Sequence, residues 1–164
     1  QDNCRRLGIN IVAPTMGDAR RSQEMSGIIR KGGGRADRPA AVPDGSVDRV
    51  LLDAPCSGLG VLRRHPEAKW NKHQAMFARH HQLQKEILEA VAAVLRPGGV
   101  LVYATCSILR RENAAQVEAF LARTPDAVAE PLSEAFGHAD GSGRQRLPGE
   151  GGMDGFFMAR LTGG

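Results

Sequence analysis

Two short apolar runs, each with a cysteine just past its end, constrain the fold of this 164-residue chain more than any other feature. The runs cover residues 47–53 and 100–105, and turn residues bound both, which is typical of buried strands. Between them, residues 72–95 carry apolar side chains at three- and four-residue spacing, the pattern of an amphipathic helix. A strand, a helix and a second strand of these lengths predict an α/β fold with a parallel or mostly parallel sheet.

The boundaries of the long helix carry their own signals. Asn71 with Gln74 three residues later resembles a capping box at its start. Residues 96–99, Arg-Pro-Gly-Gly, are typical of a helix end. We therefore expect the helix to stop before the second run begins.

The rest of the chain extends the α/β pattern. Polar, Gly- and Pro-rich stretches predict a basic loop at 18–46 and a flexible segment at 133–154. Apolar spacing predicts a helix tail at 2–7, a helix at 111–123, and strands at 9–12, 127–131 and 155–161. We expect residues 1–164 to belong to one domain, since the length suits a single core.

Composition excludes several classes of protein. Hydrophobic residues make up 41% and charged residues 24%, which is ordinary for a globular protein, and no apolar stretch reaches the length of a membrane span. Three cysteines form no disulfide framework, so we expect free thiols in the cytoplasm. The net charge of +4 is compatible with a polyanionic partner, and nothing in the sequence indicates an oligomeric state.

Cys56 and Cys106 are the strongest candidates for chemistry. Each follows a predicted strand, and the carboxyl ends of neighbouring parallel strands form the edge at which open α/β sheets bind ligands. Because adjacent strands lie about 4.8 Å apart, the two thiols could lie within roughly 10 Å of each other. Arg110, Arg111 and a helix start could lower the pKa of Cys106. Alternatively, either cysteine is a small buried apolar residue, as free cysteines commonly are.

Other residues near these strand ends fit the same site. Asp53 ends a buried strand, where a carboxylate is costly without a partner or a task. Pro55 fixes the turn that directs Cys56 outward. The histidines lack the spacing of a metal site, so we expect no metal and read them as packed or solvated: His65, His73, His80, His81 and His138.

Several motifs, in order along the chain, resemble those of one enzyme family. They are GD at 17–18, DAPCSG at 53–58, RHPEAKW at 64–70, YATCS at 103–107, EN at 112–113 and DGFF at 154–157. This set is similar to that of the RNA cytosine-5 methyltransferases of the Nop/Sun (Fmu, RsmB-like) family. The resemblance implies a Rossmann-like class I methyltransferase sheet with strand order 3-2-1-4-5-7-6.

The resemblance also implies the chemistry. S-adenosyl-L-methionine would be the methyl donor, Cys106 would add to cytosine C6, and Cys56 would help eliminate Cys106 after transfer to C5. The catalytic group would then be Cys106, Cys56 and Asp53, with Asp53 holding either the base edge or the methionine end of the donor. The donor site would use Asp18, Asp53 and Pro55, with Asp18 at the adenine. Small-subunit ribosomal RNA is the favoured substrate, and transfer RNA is an alternative.

RNA contacts are expected from the segment between the two cysteines. Arg63, Arg64 and Lys69 offer cations for phosphates, and Trp70 offers a flat surface for a base. For Trp70 we favour packing on the sheet over a role in binding. The basic residues of loop 18–46 are interpreted as solvated rather than as an RNA site.

The chain departs from the family pattern at its beginning. No counterpart of the donor-binding glycine loop is found in the sequence. The resemblance implies that residues 2–7 belong to the helix after the second strand, so we expect the first two strands to be absent. We therefore expect an incomplete sheet, the carboxyl-terminal part of the catalytic domain, and weak donor binding by this chain alone. Two rivals remain: a non-catalytic RNA-binding remnant, and a DNA cytosine-5 methyltransferase, in which a Pro-Cys cysteine like Cys56 would be the nucleophile.

Overall fold

The computed structural model describes residues 43–163, and these form one sheet flanked by two helices. The helices are α1 (Gln74–Ala93) and α2 (Ala114–Arg123). The strands are β1 (Val47–Asp53), β2 (Leu95–Thr105), β3 (Val128–Glu130), β4 (His138–Asp140), β5 (Gly143–Arg146) and β6 (Phe156–Thr162). The expected helix tail 2–7, strand 9–12 and most of loop 18–46 lie outside the described residues.

The sheet has the order β1-β2-β6-β5-β4, and β3 also pairs with β6. The order β1, β2, β6, β3 matches the 4-5-7-6 half of the expected sheet. The expectation of a mostly parallel sheet is wrong for residues 43–163, where β1–β2 is parallel and the other pairs are antiparallel. Helix α1 provides the long crossover that parallel β1 and β2 need, whereas the strands from β3 onward are joined without an α-helix.

The prediction of a flexible segment at 133–154 is also wrong. It contains β4 and β5, which form a hairpin that is paired to β6. Some of its glycines serve close packing: a Cβ on Gly143 would lie 2.5 Å from the Phe157 ring and 2.5 Å from the Met158 carbonyl. Others, such as Gly149, have a positive φ in a turn and no close neighbour. Glycine abundance therefore marks strand contacts and turns here, not disorder.

The predicted helix boundaries need correction. Asn71 forms no capping box, because residues Pro66–Asn71 make a 3-10 turn and His73 is the first flanking residue of α1, without a side-chain cap. Residues 96–99 belong to the start of β2 rather than to a linker. The helix expected at 111–123 starts later as α2, after a 3-10 turn at Arg110–Glu112.

The core lies between the sheet and the two helices. Tyr103 and Phe157 meet edge to face with ring centres 6.4 Å apart, and both are fully buried. Around them pack Leu52, Ile87, Leu88, Val91, Leu101, Val117, Phe120, Ala159 and Leu161. In the part of the chain that the structure describes, no helix is both long and apolar enough to cross a membrane.

Truncation of this core should destabilise the fold strongly. Leu101 is 1% exposed and Leu51, on β1, is 75% exposed. We expect Leu101→Ala to lower the free energy of unfolding by about 2–5 kcal/mol, through lost burial and a cavity. The matched Leu51→Ala should change it by less than about 0.5 kcal/mol. Urea unfolding measures both, and equal effects would contradict the assignment of the buried face.

Candidate active site

Cys56 and Cys106 lie side by side at the carboxyl end of the parallel strand pair. Asp53 is opposite Ala104 in the β1–β2 register. The turn after β1, which carries Cys56, and the turn after β2, which carries Cys106, therefore leave the sheet side by side; we call them the first and second cysteine turns. The Sγ atoms are 3.4 Å apart, and both side chains are partly exposed. The expected proximity is confirmed, and neither thiol is sealed in the core.

Contact between the thiols makes them chemically unequal. A hydrogen bond from Cys56 is the main cause that lowers the pKa of Cys106 to about 7, against the opposing effect of burial. The same contact, together with burial, raises the pKa of Cys56 well above its usual range. The contact therefore favours the thiolate at Cys106 and the protonated thiol at Cys56. A thiolate is the nucleophilic form of cysteine.

The arginines expected to activate Cys106 are occupied elsewhere. Arg110 forms an ion pair with Glu118, with N–O distances of 2.7 and 2.9 Å. Arg111 stacks over the Phe77 ring, 4.3 Å from its centre. The prediction that they lower the pKa of Cys106 is wrong, because the neighbouring thiol supplies that effect.

A buried carboxylate joins the turns that carry the two cysteines. Glu112 is fully buried and accepts hydrogen bonds from the Ser57 hydroxyl at 2.6 Å and the Ser107 hydroxyl at 2.5 Å. It also accepts from the Ser57 backbone N–H at 3.0 Å. Each serine directly follows one of the cysteines, so the same side chain holds both turns.

Asn113 extends this polar network towards the second half of the sheet. Its amide donates to the Ser107 carbonyl at 2.9 Å and to Gln145 Oε1 at 2.7 Å, and it accepts from the Thr105 hydroxyl at 2.6 Å. Gln145 in turn donates to the Phe156 carbonyl at 3.0 Å. These buried groups are all paired, which rigidifies the turn after β2.

Helix α1 and the segment before it hold the first cysteine turn. Gln84 donates to the Pro55 carbonyl at 2.9 Å, and Lys72 donates to the Ser57 carbonyl. Gly60 donates to the Cys106 carbonyl at 2.9 Å and accepts from Gly155 at 2.8 Å. A Cβ at Gly60 would lie 2.1 Å from the Gly155 oxygen, so this contact requires glycine.

Asp53 is the exposed carboxylate of the site. Within residues 43–163 it has no ion-pair partner, and its charge raises the pKa of Cys106, which places it near the thiols electrostatically. Pro55 is half-buried beside it. An available carboxylate at a strand end suits the ammonium group of an amino-acid moiety, so these residues fit the methionine end of the expected donor. Asp18 lies outside the described residues.

The residues expected to bind RNA occupy the rim near the first cysteine turn. Arg64 lies 2.5 Å from the buried Asp154 carboxylate and Arg63 lies 3.5 Å from it, yet both side chains remain mostly exposed. Lys69 lies 4.6 Å from the centre of the Trp70 ring. Trp70 is 79% exposed, so the prediction that it packs on the sheet is wrong. Its 3-10 turn keeps the ring off the core.

Among residues 43–163, no cluster of three potential metal ligands occurs. His80 is mostly buried, with Nδ1 3.6 Å from Glu112 Oε1. Glu112 belongs to a motif that gave it no predicted role, and the sequence pattern did not predict a role for Ser57 or Ser107. These side chains follow no helical or strand periodicity in the sequence. They come together only when the turns that carry Cys56 and Cys106 fold.

Comparison with known proteins identifies the family. The family model described as 16S rRNA methyltransferase RsmB/F matches residues 1–162. This chain belongs to that family. The resemblance to Nop/Sun RNA cytosine-5 methyltransferases, carboxyl-terminal part, is thereby confirmed, as is the Rossmann-like α/β fold.

Three relatives illustrate the extent of the similarity. Ribosomal RNA small subunit methyltransferase B of Xylella fastidiosa (strain Temecula1) is 56% identical over 114 residues, covering 70% of this chain and 26% of that protein. The protein of the same name from Salmonella newport is 46% identical over 160 residues, covering 98% and 32%. NSun6 from Pyrococcus horikoshii, solved with SFG, has a TM-score of 0.76 and 26% identity, covering 99% and 37%. The chain therefore spans about a third or less of these relatives.

The unequal thiols predict a specific alkylation profile. In a Cys4→Ser background, the rate of Cys106 alkylation by iodoacetamide should rise with pH around a midpoint of about 7. Cys56→Ala removes the donor that lowers this pKa, so the midpoint should move up towards the ordinary thiol value of about 8.5. Mass spectrometry of the Cys106 peptide measures both curves. An unchanged midpoint would show that Cys56 does not control Cys106.

Proposed function

We propose that this RsmB/F protein methylates C5 of cytosine in small-subunit ribosomal RNA, with S-adenosyl-L-methionine as donor. The observation that carries the proposal is the pair of thiols at 3.4 Å, one disposed to be thiolate and the other thiol, at the carboxyl edge of parallel strands. Cytosine C5 is a poor nucleophile until a thiolate has added to C6. The names of the RsmB relatives support ribosomal RNA as the substrate.

In the proposed reaction Cys106 is the nucleophile. Its thiolate forms a bond to C6, the C5–C6 double bond opens, and the electron pair makes C5 nucleophilic. When bound, S-adenosyl-L-methionine would supply an electrophilic methyl group to C5, and its sulfur would keep the electron pair of the broken S–CH3 bond. The C5 proton then leaves, the C5–C6 double bond re-forms, and the bond between Cys106 and C6 breaks, which regenerates the thiolate.

Cys56 is proposed to assist the last step. In the free site, the hydrogen bond with Cys106 is the main cause that raises the pKa of Cys56. Once the Cys106 sulfur is bonded to C6, it no longer carries the thiolate charge that holds the Cys56 proton. Cys56 can then release its proton to water more easily, and the resulting thiolate accepts the C5 proton, directly or through a water molecule.

Donor binding is proposed at Asp53, Pro55 and Asp18. Asp53 provides the free carboxylate beside the thiols. The relative NSun6 was solved with SFG, an analogue of S-adenosyl-L-methionine, which supports this donor. We further propose a cytoplasmic location, where thiols stay reduced, and one catalytic domain containing residues 1–164 with 18–46 as a basic loop.

The RNA surface is proposed to combine cations with an exposed aromatic ring. Arg63 and Arg64 are exposed beside Asp154, and Lys69 lies over Trp70. Lys72, two residues after Trp70, donates to the carbonyl of Ser57, which connects this rim to the cysteine turn. An RNA strand could place phosphates on the cations and stack an unpaired base on Trp70.

Substitution of the two cysteines should give opposite outcomes. Cys106→Ala should abolish methylation and covalent attachment, because no thiolate can add to C6. Cys56→Ala should leave protein covalently trapped on RNA, because addition proceeds and release stalls. Denaturing gels with labelled small-subunit ribosomal RNA and donor detect the complex, with transfer RNA as the alternative substrate.

Two results would contradict this division of roles. One is normal product release by Cys56→Ala together with activity in Cys106→Ala. The other is RNA binding without methylation by the unaltered protein even at a donor concentration high enough to offset the weak donor binding expected of this chain, which would favour the non-catalytic remnant. Preference for a DNA substrate would favour the DNA methyltransferase instead.

Loss of the exposed ring should weaken RNA binding. We expect Trp70→Ala to lower affinity for single-stranded RNA by about 1–3 kcal/mol, the usual value of one stacked base. Phe136→Ala is the matched control, since Phe136 is 43% exposed on a turn between β3 and β4. Fluorescence anisotropy with labelled RNA measures both, and equal losses would remove Trp70 from the binding surface.

A further inference from the structure

Glu112 is a buried charged group for which the reaction above has no use. Its side chain is fully buried, and its two oxygens receive hydrogen bonds from the Ser57 backbone, the Ser57 hydroxyl and the Ser107 hydroxyl. Burying a carboxylate is costly unless it is well paired. Three donors on one side chain compensate that cost, so the arrangement is a built feature of the fold.

The contacts of Glu112 run parallel to the contact between the thiols. Ser57 and Ser107 follow Cys56 and Cys106, and their hydroxyl oxygens are 3.2 Å apart, next to a sulfur separation of 3.4 Å. Glu112 accepts a hydrogen bond from each hydroxyl, and it lies outside the two strands, β1 and β2, that precede the cysteine turns. The separation of the serines, and with it that of the cysteines, therefore depends on this carboxylate.

We propose that Glu112 is a positioning residue that clamps the two cysteine turns together and so keeps Cys106 ready to attack the base. The part of this inference that concerns attack on the base rests on the proposed function, in which Cys106 is the nucleophile. Glutamate is required rather than glutamine because every group that faces it from these turns is a donor. A carboxylate offers only acceptors, whereas an amide would turn an N–H towards an N–H or a hydroxyl.

Charge and geometry act on Cys106 in opposite directions. The negative charges of Glu112 and Asp53 raise the pKa of Cys106, and the hydrogen bond from Cys56 lowers it with the largest effect. His80, on α1, is the other titratable group close to Glu112, at 3.6 Å. Removing the Glu112 charge alone would make Cys106 a stronger acid. Separating the two cysteine turns would weaken the hydrogen bond from Cys56 and make Cys106 a weaker acid. The larger of the two effects decides whether the pKa of Cys106 rises or falls.

The test is the pH profile of Cys106 alkylation in Glu112→Gln, in a Cys4→Ser background without RNA or donor. We expect the midpoint to rise from about 7 towards the ordinary thiol value. At pH 7, alkylation should slow by about tenfold, since the thiolate fraction falls accordingly. A midpoint that stays or falls would overturn the proposal, because the charge would then outweigh the clamp.

Matched variants separate positioning from a general loss of structure. Glu118→Gln is the control: Glu118 is on α2, pairs with the exposed Arg110 and does not contact the cysteine turns, so its profile should be unchanged. Ser107→Ala and Ser57→Ala remove one anchor each and keep the charge, so each should raise the midpoint. If Glu112→Gln fails to fold, these two variants decide, and unchanged midpoints in both would overturn the proposal.

The outcome is independent of whether the protein methylates cytosine. Alkylation of Cys106 needs neither RNA nor donor, so the clamp can be confirmed even if methylation is not found. Where methylation is found, Glu112→Gln should lower kcat by about tenfold at pH 7 with little change in KM for RNA. That loss should shrink as pH rises and Cys106 ionises, which a merely structural defect would not produce.

Discussion

Parallel pairing of β1 with β2 is the constraint on which the whole site depends. The register sets Asp53 opposite Ala104, so both strands end at the same level and both turns start side by side. Because the strands end together, the two sulfur atoms come within 3.4 Å of each other. That contact in turn lowers the pKa of Cys106 and raises that of Cys56. Helix α1 makes the crossover possible and also donates from Gln84 to the first turn.

The turns themselves have no regular structure, and buried polar groups fix them instead. Glu112 and Asn113 lie between the two cysteine turns and the hairpin strand that carries Gln145. Because their hydrogen-bonding groups are engaged away from water, loss of one member leaves its partners unsatisfied. The pairing of these buried groups makes the active-site edge rigid, and it also makes substitution of any one of them destabilising. Such rigidity suits a site that must hold two sulfur atoms at a fixed separation.

The amino-acid sequence predicts those features of the fold that depend on local pattern. The bounds of β1 follow from an apolar run between turn residues, and the meeting of the thiols follows from two such runs. Local pattern fails where distant contacts decide. Glycines at 133–154 imply flexibility locally but allow β5 to pack on Phe157, and Trp70 is exposed because its turn faces away from the core. The clamp by Glu112 joins residues 55 positions apart, beyond the reach of any local pattern.

Mapping the residue that becomes attached to RNA tests the central claim most directly. The two thiols lie in separate tryptic peptides, 50–63 and 86–110, so mass spectrometry can distinguish them. In RNA containing 5-fluorocytosine, fluorine replaces the C5 proton and cannot leave after methyl transfer, so the unaltered protein with donor present should remain in the adduct. We predict that the nucleotide is found on the peptide 86–110, at Cys106. Attachment to peptide 50–63, at Cys56, would contradict the account.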